Sequence, residues 1–256
     1  MIASLAMYDF GPAEAANDRL WQLIRRALAA RGIAAPADLT RGAAAYWPAW
    51  QSPDLILAQT CGYPYRSRLH EHVTLVASPD YGLPGCPPGH YKTIFVARAD
   101  DRRQNLHDFS GAPMAYNEDL SQSGWAAPAQ HLLDLGLTPC PRLRSESHRA
   151  SARAVAAGAA DLAGLDALTW RLMQGFDPSA TQLKVVAETA PTPVLPFITA
   201  KTNPPEPLRE ALSAAIAALA PADAAALQLR GIVVIPKAAY LAVPTPPPPQ
   251  HFGMKN

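Results

Sequence analysis

Ser121-Gln122-Ser123-Gly124-Trp125 sets two hydroxyls and a glycine immediately ahead of residues 126–135, whose apolar spacing predicts a helix. First-turn amides have no acceptor within their own helix, and the dipole makes that end positive. Short donors placed there suit an anion or a polar ligand. The same residues also satisfy a plainer demand, because serine is a preferred N-cap whether or not a ligand is present. From the local pattern the two readings stand at equal weight. Trp125 is either a wall of such a seat or simple packing, and packing is the ordinary fate of a lone tryptophan. Tyr116 and Asn117 end the preceding strand and face the same turn, as secondary donors.

A second helix start repeats the device. Ser145-Glu146-Ser147-His148 precedes a predicted helix over 149–157. A histidine there is more often a surface or capping residue than a ligand. At a helix N-terminus it is also held more neutral, and can donate one hydrogen bond to an oxyanion without a full charge. Asp166 follows the apolar run 161–165 and opens a helix to residue 173. Its commoner role is an N-cap; its functional reading is a carboxylate at a strand's carboxyl end, offered to a ligand amine or hydroxyl. Tyr8, Asp9, Gln59, Thr60, Gly62, Tyr63 and Tyr65 lie at strand ends of the first part of the chain, where a binding wall would stand.

Catalysis is the weaker reading. Cys61, His70 or His148, and Asp166 can be written as a triad, and Ser123 as a nucleophile. Ser123 lacks the flanking glycines of a nucleophile elbow, and nothing in the sequence orders a base near it. No phosphate loop with its lysine and no dinucleotide fingerprint is present, and the seven histidines lack metal-ligand spacing. No catalytic residue, metal or cofactor is therefore expected. Three cysteines (Cys61, Cys86 and Cys140) make a poor disulfide framework, and although a Cys61–Cys86 bridge is conceivable, free thiols are expected.

Positioning these residues requires strand ends that feed helix starts. Residues 2–7 predict a strand, and 14–31 a helix with Leu20, Leu23, Ile24, Ala27 and Leu28 at helical spacing and Trp21 on its flank. Residues 55–58 form a fully apolar strand of the kind buried in a parallel sheet. Further strands are expected at 73–77, 91–98, 112–117, 185–187 and 197–200, with helices at 205–219 and 222–229. Alternation of this kind makes an α/β chain, here two lobes: 1–92 with 190–243, and 93–189 inserted between. Two crossings near 91–98 and 189–196 would act as a hinge around a ligand. Residues 244–256 form a proline-rich tail, expected to be polyproline-like and mobile.

With 256 residues, Lys+Arg 22 against Asp+Glu 21 and no basic run, a nucleic-acid surface is not expected. No apolar run reaches the length of a membrane helix. The first residues lack a basic region followed by an apolar core, which favours the cytoplasm, although a cleaved leader replaced by a starting Met would look the same.

The ordered set Asp108-Phe109-Ser110-Gly111, Tyr116-Asn117, Ser121-Gln122-Ser123-Gly124, Gly136, Ser147-His148, the run from Ala154 to Asp161, and Leu165-Asp166 resembles the phosphate/phosphite/phosphonate-binding (PhnD-like) substrate-binding proteins of ABC transporters. The likeness is densest over residues 98–173. It implies a type 2 periplasmic-binding-protein fold with two α/β lobes. It also implies that Ser121, Ser123 and Gly124 hold the ligand's oxyanion and that His148 meets it from the second helix start. Asp166 would face the ligand's other end, and Tyr8 and Tyr65 would close over it. The implied function is a solute-binding protein for a small oxyanion-containing ligand, phosphonate- or phosphate-like, with an ABC permease as partner and the periplasm as its place. The alternative is a cytoplasmic sensor or an enzyme that reuses the fold.

Overall fold

Strands and helices alternate along most of the chain in a computed structural model that describes residues 1–253. The strands are β1 (Ile2–Ser4), β2 (Leu55–Gln59), β3 (Val73–Asp80), β4 (His90–Tyr91), β5 (Thr93–Arg98), β6 (Met114–Tyr116), β7 (Pro141–Arg144), β8 (Leu162–Asp166), β9 (Leu183–Glu188), β10 (Thr192–Pro193), β11 (Phe197–Ala200) and β12 (Gly231–Val233). Contacts divide the chain into two units. Unit 1 comprises Met1–His90 and Pro193–Ala242; unit 2 comprises Tyr91–Thr192 and, among the described residues, 243–253. The chain thus passes between units at a third point besides the two expected. The cause is the C-terminal segment, which the sequence reads as a mobile tail and which instead packs on unit 2.

In unit 1 the sheet runs β1-β2-β11-β3-β12. β1 and β2 are parallel, whereas β11 is antiparallel to both β2 and β3, so the apolar strand at Leu55 lies in a mixed sheet rather than a parallel one. The helix Pro12–Ala29 follows β1 and buries Leu20, Trp21, Ile24 and Leu28. Trp21 is inside, not on the flank, because its indole N–H donates to the Pro36 carbonyl at 3.1 Å while the ring fills the core. Trp50, Leu55, Leu69, Val73, Ile198 and Tyr240 belong to one core cluster under this sheet.

In unit 2 the order is β7-β6-β8-β5-β9. β7, β6 and β8 are parallel neighbours, and β5 runs antiparallel to β8 and β9. Each of the three parallel strands is followed by a helix: Gln122–Ala126 running into Ala127–Asp134 after β6, His148–Ala156 after β7, and Ala167–Met173 after β8. Adjacent parallel strands therefore bring three helix N-termini to one edge of the sheet. β7 itself is not foreseen in the sequence, since Pro-Arg-Leu-Arg is a charged edge strand opened by a proline rather than an apolar run.

Candidate functional site

Ser121 is extended and caps the first of these helices, with its Oγ accepting from the Gly124 amide at 2.9 Å. The capping reading is therefore realised for that pair, and the Gly124 N–H is already used. Ser123 sits inside the cap as a second-position residue, where its amide has no acceptor within the helix. Its Oγ lies 2.9 Å from His148 Nε2, which joins the first helix start to the second. Its carbonyl accepts from Thr93 Oγ1 at 3.1 Å, tying the turn to β5.

Two glycines make that placement possible. A Cβ on Gly124 would fall 1.8 Å from Asn117 Oδ1, so only glycine lets the Asn117 amide fold over the turn. A Cβ on Gly164, in the middle of β8, would fall 2.3 Å from Pro128 Cγ and 3.0 Å from the Ser123 carbonyl oxygen. Gly164 is thus the residue that lets the helix sit close on the sheet. Its signal, one glycine inside an apolar strand, is present in the sequence as a marker of close approach.

His148 is partly exposed as a residue, but its Nδ1 is sealed from solvent and has no hydrogen-bond partner. Burial pushes the imidazole down to about 4, opposed only in part by the Gly164 backbone, so the ring is neutral near pH 7. The turn that presents it is braced by backbone bonds from Ser145 N to the Tyr116 carbonyl (2.8 Å) and from Glu146 N to the Asn117 carbonyl (2.9 Å). Glu146 adopts a left-handed φ of 69°, an unfavourable conformation for a residue with a Cβ, just before Ser147 and His148. Ser147 caps the helix through its Oγ and the Ala150 amide at 3.1 Å. The nearby cations Arg149 and Arg153 both engage the buried carboxylate of Asp177.

Asp166 is buried, and its Oδ1 accepts from the Leu168 and Thr169 amides at 2.8 and 3.0 Å, so the capping reading describes that oxygen. Trp125 is wholly buried between Tyr116 (5.6 Å) and Phe252 (5.8 Å). It packs rather than presenting a ring face. Asn117 Oδ1 and Trp125 Nε1 join His148 Nδ1 as buried polar atoms without partners around this turn.

Unit 1 gathers a different cluster at its strand ends. Gln59 Nε2 donates to Tyr81 Oη at 3.0 Å and to the Leu195 carbonyl at 3.1 Å, while Tyr81 meets the Tyr8 ring edge-on at 5.4 Å. Thr60 Oγ1 is buried beside them without a partner. Tyr81 and Leu195 are not singled out by the sequence, because each lies in a stretch that reads as loop. Tyr65 does not join this group. It faces the core against Tyr240 at 5.2 Å, since residues 65–69 turn their aromatic and leucine side inward, and burial raises its hydroxyl to about 12.

Two chemical expectations change or sharpen. A base does stand beside Ser123, namely His148, which the sequence separates from it by 25 positions. Cys61, Cys86 and Cys140 are all free thiols. Among the described residues no cluster has metal-ligand geometry, and no single helix is long and apolar enough to cross a membrane.

Comparison with known proteins bears on the fold and the family. The family model described as "ABC transporter, phosphonate, periplasmic substrate-binding protein" matches residues 51–239. No curated protein sequence matches the chain significantly. Among solved structures, PhnD1 from Prochlorococcus marinus in complex with methylphosphonate superposes with a TM-score of 0.71 at 16% identity, covering 93% of this chain and 94% of that one. A binding-protein component of an ABC phosphonate transporter from Pseudomonas aeruginosa gives 0.68 at 18% identity, over 94% and 82% of the two chains. A Xanthomonas citri protein bound to ATP gives 0.66 at 16% identity, over 93% and 92%. At these identities the likeness is one of fold, the type 2 periplasmic-binding-protein fold of two α/β lobes. With the family model spanning most of the chain, the protein belongs to the phosphonate-binding periplasmic substrate-binding proteins of ABC transporters.

Proposed function

We propose that this binding protein holds a tetrahedral oxyanion, a phosphonate or a phosphate-like group, on the unit 2 turn, and delivers it to an ABC permease from the periplasm. The observation that carries the reading is the Ser123 Oγ–His148 Nε2 contact at 2.9 Å, where two helix starts meet. Ser121 Oγ–H, the Ser123 amide and hydroxyl, and neutral His148 are all uncharged donors on helix N-termini. Such a set recognises an anion by direction and dipole rather than by ion pairing. Gly124 contributes by admitting Asn117, and Trp125 by packing the turn. Asp166, as a cap, holds its helix start in register beside Thr93, its partner across β5 and β8. Within unit 1, Tyr8 and Tyr81 pack over the Gln59 amide, and Tyr65 lies in that unit's core.

The test is thermal stabilisation of the full chain by methylphosphonate, larger phosphonates, phosphite and inorganic phosphate. A ligand at ~100-fold its Kd adds about 2.7 kcal/mol to the unfolding free energy. Ser123→Ala, which removes the buried hydroxyl without adding bulk, should remove most of that shift with only a modest change in the melting temperature of the free protein. No shift from any of these compounds would sink the reading.

A second reading rests on the same contact. A serine hydroxyl 2.9 Å from an imidazole nitrogen has the spacing of a nucleophile and its base. Against it, His148 Nδ1 has no carboxylate to orient it, and a ring held neutral down to about pH 4 is a weak base near pH 7. Hydrolysis of an activated ester that vanishes in Ser123→Ala would favour this reading over transport.

A further inference from the structure

Residues 243–253 leave the contacts of unit 1 and belong to unit 2. It lands on the residue next to Ser123 and Gly124. The Phe252 ring meets the Trp125 indole at 5.8 Å between centroids, inclined by 62°. Two residues earlier, Gln250 Nε2 donates to Asp119 Oδ2 at 2.6 Å. Pro246 and Pro249 are buried, and Pro249–Phe252 forms one short helical turn with the His251 ring 5.2 Å from Phe252. A proline-rich segment has little backbone freedom to lose, so few contacts are enough to dock it.

What this segment touches is mechanically sensitive. Gln122–Ala126 is a single π-type turn, with the Ala126 amide reaching back to the Ser121 carbonyl at 2.9 Å. Turns of this kind are rare, recur at functional sites and depend on their surroundings. Trp125 is the turn's largest side chain, and its Nε1–H has no hydrogen-bond partner. An indole without a hydrogen bond is fixed by packing alone, and its ring neighbours are Tyr116 from the strand before and Phe252 from the tail.

We propose that Phe252 is a positioning residue for the ligand seat. Through Trp125 it holds the 122–126 turn in the shape that sets Ser123 against His148, and the Gln250–Asp119 bond clips the segment in place. The effect on ligand affinity rests on the oxyanion reading of Ser123 and His148; the effect on the turn does not.

The experiment uses the full chain with Phe252→Ala, Phe252→Tyr and Gln250→Ala. Hydrogen exchange at the amides of 123–127 in ligand-free protein should quicken about five- to tenfold in Phe252→Ala, about twofold in Gln250→Ala, and stay near wild type in Phe252→Tyr. Calorimetric affinity for methylphosphonate should fall by a similar factor in Phe252→Ala and recover in Phe252→Tyr. Unchanged exchange in Phe252→Ala overturns the proposal. So does faster exchange with affinity left within about twofold of wild type, because the contact would then be packing without consequence for the seat. If neither methylphosphonate nor inorganic phosphate binds the wild-type chain, the oxyanion reading fails by itself and the exchange arm still decides the strap. If Phe252→Ala does not fold, Gln250→Ala and Phe252→Leu carry the same comparison.

Discussion

The two strand-end clusters differ in how completely they satisfy themselves. In unit 1 the Gln59 amide spends both N–H donors inside the protein, on Tyr81 Oη and the Leu195 carbonyl, and a ring pair of Tyr8 and Tyr81 covers it. In unit 2 the seat around Ser123 carries three buried polar atoms without partners, on Asn117, Trp125 and His148. A buried polar atom left unpaired costs about 1–3 kcal/mol, so a fold keeps such atoms where something else compensates. One cluster satisfies itself apart from the buried Thr60 Oγ1. The other holds more polar capacity in reserve, around two helix starts capped by the neutral hydroxyls of Ser121 and Ser147; only the third start is capped by a carboxylate, Asp166. That contrast favours the proposed oxyanion seat on the unit 2 turn over the unit 1 cluster.

The largest expected effect separates wall from core. Tyr65 packs in the core of unit 1, so Tyr65→Ala should lower the unfolding free energy by about 3–5 kcal/mol, as for other large aromatic truncations. A urea titration measures it. A loss under about 1 kcal/mol, together with a lost ligand shift, would instead return Tyr65 to the binding wall.

A smaller effect probes the reserve itself. Gly124→Ala sets a methyl 1.8 Å from where Asn117 Oδ1 now lies, and the amide must swing away. Overpacking of this kind costs about 1–3 kcal/mol, and here it should also abolish the ligand-induced thermal shift. Gly158→Ala is the contrast, because the nearest atom to its added Cβ is 3.8 Å away. Its left-handed φ makes it a purely conformational loss, with ligand response retained. Equal loss of response in both variants would break the link between Asn117 and the seat.

Much of this contrast is legible in the sequence, but unevenly. The serine pair, Ser147-His148 and Asp166 are readable because helix starts have a local grammar, in which cap residues precede an apolar period of 3.6. That same grammar cannot tell a used cap from an available donor: the Gly124 amide and Asp166 Oδ1 turn out to be spent on capping. The Ser123–His148 bond is invisible locally, since it depends on β6 and β7 pairing in parallel with both helix starts on one edge. Tyr65 and Tyr8 look alike as strand-end aromatics, and only the turn at 65–69 decides which faces inward. The tail misleads for a compositional reason, as a proline run resembles a linker until an aromatic residue beyond it finds a ring to meet.

The smallest effect is a pH dependence, and it tests whether the seat works through neutral donors. The His148 imidazole titrates near 6.5 in an unfolded chain and is pushed down to about 4 in the folded one, chiefly by burial. Between those values the unfolded chain binds the extra proton. The stabilisation is therefore complete above about pH 6.5 and is lost as pH falls towards 4. Allowing for the residue's partial exposure, the loss is about 1–2 kcal/mol. His148→Gln keeps a donor of similar reach without a titration, so its stability should fall less between pH 6.5 and 4, and its ligand shift should persist in weakened form. Denaturation midpoints of both proteins across that range give the difference directly. Parallel pH profiles would mean that His148 titrates in the folded protein as it does in water, with a charge on the seat at mildly acidic pH. The contrast between the more nearly satisfied unit 1 cluster and an uncharged seat would then fail at its central residue.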